Sequence, residues 1–217
     1  MLIPNGLKDI YHPKNRKAKK TIREKFFIPS KTRMLLFAGR LEEVKGISFL
    51  IQAFKEVLKT RRNVHLFIAG SGEFERWINE ASACCSKITF TGRLDTSALY
   101  ELYHMADIGI LSSIHEEFGY VAIEMMMHEV PVIASESSGY VDIIEEGISG
   151  MRFPVIQHAN QMALDVKKMS ELICLYLDNK QYAKRIGKNG RKRFLEKYEL
   201  NNFAKKMIEV YHSFVIK

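Results

Sequence analysis

Glu116-Glu117-Phe118-Gly119-Tyr120-Val121-Ala122-Ile123-Glu124 is the stretch on which the fold turns. It follows an apolar run, Ile108-Gly109-Ile110-Leu111, and it opens a helical segment. Strand, polar turn and helix make the unit of an open α/β sheet, and such sheets take phosphorylated ligands at the carboxyl ends of their strands. Two acids, Glu116 and Glu124, bound the stretch with seven residues between them. Carboxylates in that place reach the hydroxyls of a sugar.

The alternation extends on both sides. Residues 34–38, 64–69, 87–91, 107–111, 131–134 and 151–153 are short apolar runs of the length of buried strands. Between them, 47–58, 73–84, 96–105, 119–128 and 141–146 read as helical, the third capped by Asp95 or Thr96. About five βα repeats with short connections predict a parallel sheet with helices on both faces. Right-handed crossovers bring the carboxyl ends of all strands to one edge, where the ligand site is expected. Farther on the pattern is helical only, over 162–177, 180–197 and 200–215, with Gly187 and Gly190 weakening the middle helix. The expected fold class is α/β, a Rossmann-like parallel sheet with helices on both faces plus carboxyl-terminal helices.

Composition sets the outer limits. The 217 residues are 47% apolar and 27% charged, which suits one domain with its own core. No apolar run approaches the ~18 residues of a membrane-spanning helix. The start, Met1-Leu2-Ile3-Pro4-Asn5-Gly6, is too short and too early broken by proline for a signal peptide. Cys84, Cys85 and Cys174 have neither metal nor disulfide spacing, so reduced thiols and a cytoplasmic location are expected. The net charge of +8 is concentrated near the ends: residues 14–25 hold seven cations, from Lys14 to Lys25, against Glu24. Such a run is a solvated helix face or a peripheral contact with an anionic membrane surface. No aromatic ladder or nucleic-acid fold signature accompanies it, and no nucleic acid is expected as a partner.

Several glycine-polar clusters follow the strands. In Ala38-Gly39-Arg40-Leu41-Glu42-Glu43-Val44-Lys45-Gly46, Gly39 admits close backbone approach, and Arg40 and Lys45 together suit a diphosphate. Ala69-Gly70-Ser71-Gly72-Glu73 offers amides at a helix start. Thr91-Gly92-Arg93-Leu94 would border a nucleobase, or leave Arg93 merely exposed. The helix opened by Phe118 and Gly119 favours phosphate at its first amides, with Glu124 under two turns in and Glu116 in the loop before it. Ser135-Glu136-Ser137-Ser138-Gly139-Tyr140 is a candidate second wall.

Taken in order, these residues resemble the C-terminal, nucleotide-sugar-binding half of a GT-B-fold retaining glycosyltransferase, of glycosyltransferase family four (glycosyl transferases group 1). The resemblance runs from about Leu2 to Phe153 and rests on Ile3-Pro4-Asn5-Gly6, Phe37-Ala38-Gly39-Arg40 with Lys45-Gly46, and Ile68-Ala69-Gly70-Ser71-Gly72. It continues through Phe90-Thr91-Gly92, Tyr103 with Ala106-Asp107, the two-glutamate motif, Pro131-Val132-Ile133-Ala134, Gly139, and Gly147 with Gly150. It implies one domain over 1–217: an interdomain lead-in over 1–30, a Rossmann-like core over 33–153 and carboxyl-terminal helices over 160–217.

The resemblance also implies roles. Arg40 and Lys45 hold the donor diphosphate, Glu116 contacts the donor sugar, and these three are the expected catalytic residues. Phe118, Gly119 and Tyr120 present amides, Glu124 binds the ribose, and Arg93 and Leu94 border the base, with Gly39, Gly70 and Gly72 in the binding loops. The donor is a UDP-sugar or GDP-sugar, with no cofactor and no metal, and the acids bind rather than act as an acid/base pair. A glycan or lipid-linked acceptor belongs to an N-terminal half that this chain lacks, so the chain alone is expected to turn over little. Departures are Glu117 where the family has a small residue, Glu129 where it has glycine, and Ser138-Gly139 with Asp142 where it often has paired glycines and a glutamate. Other readings stay open: the nucleotide-sugar half of a sucrose- or trehalose-type synthase, a stand-alone non-catalytic sensing or docking module, or a basic membrane- or nucleic-acid-binding domain.

Overall fold

Six strands form one parallel sheet: β1 (Arg33–Ala38), β2 (Val64–Ala69), β3 (Ile88–Gly92), β4 (Ile108–Leu111), β5 (Val132–Ser135) and β6 (Met151–Phe153), in the order β3-β2-β1-β4-β5-β6. The structure is a computed structural model that describes residues 3–11, 16–158 and 161–215. Leu2, at the start of the family resemblance, and Lys14, at the start of the basic run, lie outside the described residues.

The strands are apolar throughout because both sheet faces are covered. Along β1, Leu35 and Phe37 enter one core, while Met34, Leu36 and Ala38 enter the other. In β2, Leu66 and Ile68 take the first side and Phe67 and Ala69 the second. Helices α2 (Ile47–Thr60) and α7 (Val166–Asp178) pack together on the first face. The second face is covered by α4 (Thr96–Met105) and α5 (Tyr120–Met127), and Ile22 of α1 (Arg16–Lys25) joins that core. Strand order reverses at β1, which pairs in parallel with β2 on one side and β4 on the other. The loops leaving β1 and β4 therefore diverge to opposite faces and open a crevice at the carboxyl edge.

Three elements depart from the sequence-based expectation. Residues 162–164 are not helical: β7 (Val155–His158) and β8 (Gln161–Leu164) form an antiparallel hairpin, and α7 starts only at Val166, where the Asp165 carboxylate accepts from Lys168 N. The expected helix over 73–84 stops early as α3 (Phe74–Glu80), and a 3-10 stretch, Ser82–Lys87, follows with Cys84 out of helical geometry. The helix expected over 141–146 is α6 (Ser138–Ile143), displaced toward the site.

Helix α8 (Lys180–Lys197) runs unbroken through both glycines. A Cβ at Gly187 would meet the Glu129 carbonyl, and one at Gly190 would crowd Met126. Those glycines let α8 lie close on α5 and the turn after it. Glu129 in that turn adopts φ 56, a left-handed conformation that favours glycine, the residue that the family resemblance leads one to expect there. Helix α9 (Leu200–Val215) leaves Ile208, Tyr211 and Phe214 exposed. Among the described residues, no helix is long and apolar enough to cross a membrane.

His65 on β2 and His128 after α5 are buried. Burial pushes each imidazole down to about 4, helped at His65 by the charge of Lys87. A histidine depressed by burial costs the fold nothing above its unfolded pKa of about 6.5, and it destabilises the fold increasingly as pH falls toward 4, because the unfolded chain takes up the proton first. At pH 5 each histidine has forfeited ~2 kcal/mol. Glu124 runs the other way, because burial raises its pKa. The melting temperature is expected to fall between pH 6.5 and 4, and His65→Gln should flatten that limb; an equal slope in the variant would contradict the assignment.

Candidate active site

The crevice is built by loops whose backbones touch. The Ser112 hydroxyl donates to the Lys45 carbonyl at 2.9 Å, and Ile114 N donates to the Val44 carbonyl at 2.8 Å. The loop after β4 is thereby fastened to the loop after β1. On the other side, Gly39 N donates to Ala69 O and Leu41 N to Ser71 O, so the loops after β1 and β2 run together. A Cβ on Gly70, whose φ is 150, would collide with the Gly39 carbonyl. Close contact between these loops requires glycine there.

Lys45 and Glu116 meet directly. Lys45 Nζ lies 2.8 Å from Glu116 Oε2, and both side chains are less than one-fifth exposed. The same oxygen accepts from Tyr140 Oη at 3.2 Å and from Ser113 Oγ at 3.4 Å, and the two hydroxyls lie 3.1 Å apart. Burial by itself would raise the Glu116 pKa. The hydrogen bond and charge of Lys45, with the two hydroxyls, bring it below its ordinary value. Burial and the neighbouring carboxylate push the Tyr140 phenol up, so it stays a donor. The carboxylate remains ionised and held, suited to accepting hydroxyl hydrogens rather than to passing a proton.

Gly39, Arg40, Gly70, Arg93 and Leu94 share a cleft of about 450 Å³ with Ala38, Ala69, Ser71, Leu99 and Val121. Arg40 is exposed there, its guanidinium 2.7 Å from Glu42. Lys45 and Glu116 are not part of that lining; they stand at the adjacent loop crossing. Gly72 is also outside it: its backbone bridges Leu41, whose carbonyl leaves no room for a Cβ. Gly119 caps α5 at φ 91, and a Cβ there would strike the Tyr140 ring. The first amides of α5 lack intrahelical partners by helix geometry and sit beside the Glu116 cluster. Tyr120 is exposed and packs edge-on to Phe118 at 4.8 Å. Phe118 itself lines a separate hollow of about 220 Å³ with Pro4, Asn5, Glu117 and Asp142. Glu124 is half-buried and accepts from Tyr103 Oη at 2.8 Å.

The site residues absent from the sequence-based set are Ser113, Tyr140, Tyr103, Leu99 and Val121. Tyr103 and Tyr140 stood in motifs already noted, but their partners are set across the chain. A larger shallow hollow of about 970 Å³ lies among Lys20, Arg23, Glu24, Phe27, Ile28, Pro29 and Ser30. It contains none of the expected site residues.

An open parallel sheet with glycine loops and charged pairs at its carboxyl edge is the Rossmann-like arrangement found in GT-B glycosyltransferases. The family model described as Glycosyl transferases group 1 matches residues 18–193, and the chain belongs to that family. An uncharacterized glycosyltransferase of Methanocaldococcus jannaschii is 32% identical over 182 residues, which cover 82% of this chain and 44% of the relative. Sucrose-phosphate synthase from Thermosynechococcus elongatus superposes over 100% of this chain and 53% of its own, with a TM-score of 0.82 and 26% identity. The HepE protein of Anabaena, in complex with UDP-glucose, superposes over 98% of this chain and 57% of its own with a TM-score of 0.82; at 18% identity that likeness shows the fold alone. The chain thus spans about half the length of these relatives, which fits the C-terminal half of a two-domain enzyme.

Replacing Lys45 by methionine removes the ammonium while burial remains. Carbon-detected titration should then show the Glu116 carboxyl moving from below to above its ordinary value. A midpoint that stays put would mean the ion pair does not form in solution.

Proposed function

We propose that this chain is the nucleotide-sugar-binding half of a retaining glycosyltransferase, which transfers a hexosyl group from a UDP- or GDP-sugar to a glycan or lipid-linked acceptor. The observation that carries the reading is the Lys45–Glu116 bond across the reversal of the sheet. A cation and a sugar-binding acid are thereby held together beside the cleft lined by Gly39, Arg40, Gly70, Arg93 and Leu94. The UDP-glucose in HepE supports a nucleotide-sugar donor of this kind.

In this reading Arg93 and Leu94 border the base, and Glu124 accepts from the ribose. Arg40, Lys45 and the amides leading into α5, those of Phe118, Gly119 and Tyr120, receive the diphosphate. Glu116 engages hydroxyls of the sugar. As the glycosidic bond breaks, negative charge grows on the departing diphosphate, and cations already aimed at it stabilise the transition state without solvent reorganisation. Arriving phosphate competes with Glu116 for Lys45, so donor binding frees the acid to meet the sugar. No metal or acid/base pair is required. The acceptor falls to an N-terminal domain, and the exposed Ile208, Tyr211 and Phe214 of α9 are an apolar face suited to it. The setting that goes with this reading is the cytoplasm, with the full enzyme either free there or peripheral to the inner membrane surface.

Calorimetric titration of UDP and GDP tests this. Wild type should bind at least one. Lys45→Met should weaken it about tenfold or more, the size of one or more charge-assisted hydrogen bonds. Wild-type affinity in both Lys45→Met and Glu124→Ala, or no binding of either nucleotide to wild type, would overturn the site. Transfer from nucleotide-sugars by the isolated chain is expected to stay at background.

A further inference from the structure

Glu124 stands one helical turn beyond Val121 in α5, and Tyr103 one turn beyond Leu99 in α4. Val121 and Leu99 both wall the 450 Å³ cleft, whose lining includes neither Glu124 nor Tyr103. The Tyr103–Glu124 hydrogen bond, at 2.8 Å, therefore ties the two helices together just behind that wall. The Tyr103 ring is fully buried and cannot itself reach a ligand in the cleft. Its hydroxyl occupies one lone pair of Glu124 Oε2. A carboxylate has about four acceptor positions, which leaves enough for a vicinal diol.

A glutamate has three rotatable side-chain bonds, and fixing them on ligand binding costs affinity unless they are fixed beforehand. We propose that Tyr103 is a positioning residue: its hydroxyl holds the Glu124 carboxylate toward the cleft and so sets the site's preference for the vicinal diol of a ribonucleotide. The inference rests on the reading of Glu124 as the ribose ligand. Packing alone would also give a buried phenol a hydrogen-bond partner, so the two roles are separated by their effect on ligand discrimination.

Electrostatics agree with the geometry. Burial raises the Glu124 pKa, and the Tyr103 hydroxyl pulls it back. Burial, with the Glu124 charge and hydrogen bond, drives the Tyr103 phenol well above its ordinary value, so it remains a donor. Tyr100, from the same helix, also feels the Glu124 charge. On the far side His128 Nδ1 lies 2.8 Å from the Glu124 backbone carbonyl, and its ring is tilted at 51° to that of His104 with centroids 4.9 Å apart. Asp9 and Arg191 form a bidentate pair beyond, against Tyr11.

The test compares UDP with 2′,3′-dideoxy-UDP, and GDP with its dideoxy analogue, on wild type, Tyr103→Phe, Glu124→Ala and Glu124→Gln. Tyr103→Phe should lose about tenfold for the ribonucleotide and little for the dideoxy analogue, a discrimination loss the size of one hydrogen bond to a charged group. Its Glu124 carboxyl, followed by carbon-detected titration, should move further up. A merely structural role would weaken both ligands alike, which overturns the proposal; a Glu124 titration that stays in place would show that the hydrogen bond is not made in solution and overturns it too. If Tyr103→Phe keeps wild-type discrimination while Glu124→Ala loses it, the positioning role falls and the ribose reading stands. If Glu124→Ala and Glu124→Gln keep full discrimination, or wild type binds neither ribonucleotide, the ribose reading falls and takes this inference with it.

Discussion

The Lys45–Glu116 bond is the constraint around which the site is arranged. It joins residues that are 71 apart in the chain, and it does so at the one place where the strand order reverses. Desolvating two charges is costly, and a pair of this kind contributes little net stability unless the remaining lone pairs are satisfied. Here Ser113 and Tyr140 converge on the same Glu116 oxygen. The pair's value is positional: it fixes the loops after β1 and β4 against each other, together with the Ser112 and Ile114 contacts to the Lys45 and Val44 carbonyls.

That constraint needs space for backbone as well as charge. Gly46, at φ 66, has to be glycine because the Ser112 carbonyl lies where a side chain would begin. Gly139 is equally confined against the Glu116 and Phe118 backbone, and its amide donates to the Glu116 carbonyl. Such positions exchange conformational freedom of the chain for close approach of loops, which is how a polar crevice is made rigid without regular structure. The same economy recurs away from the site, where Gly187 and Gly190 let α8 settle on α5 and so brace the helix that carries Glu124. Scaffold and site are coupled through α5, whose first residues border the Glu116 cluster and whose second turn reaches Tyr103.

Much of this was legible beforehand. Apolar runs too short for helices, alternating with helical periods, could only be buried between two helical layers, and that identified the parallel sheet and its ligand edge. The family motifs then placed Gly39, Arg40, Gly70, Arg93 and Leu94, and these do share one cleft. The helical reading of 162–177 held from Val166 on and failed only at its first four residues, because β8 is only four residues long and is stabilised by its antiparallel partner β7, a contact no local period reports. The break after Glu80 was hidden for a similar reason: the 3-10 stretch there, with buried Cys84, packs against β2 and β3. Gly187 and Gly190 weakened a helix by propensity that packing then restored.

The sequence by itself determined the layer architecture, the edge on which loops gather and the residue types available there, because periodicity, strand length and glycine placement are local properties of the chain. Tertiary structure alone decided which groups meet: Lys45 with Glu116, Tyr140 with the same carboxylate, Tyr103 with Glu124. Those pairings depend on strand order and helix packing, which bring distant residues within hydrogen-bonding reach and exclude the water that would otherwise solvate each of them separately.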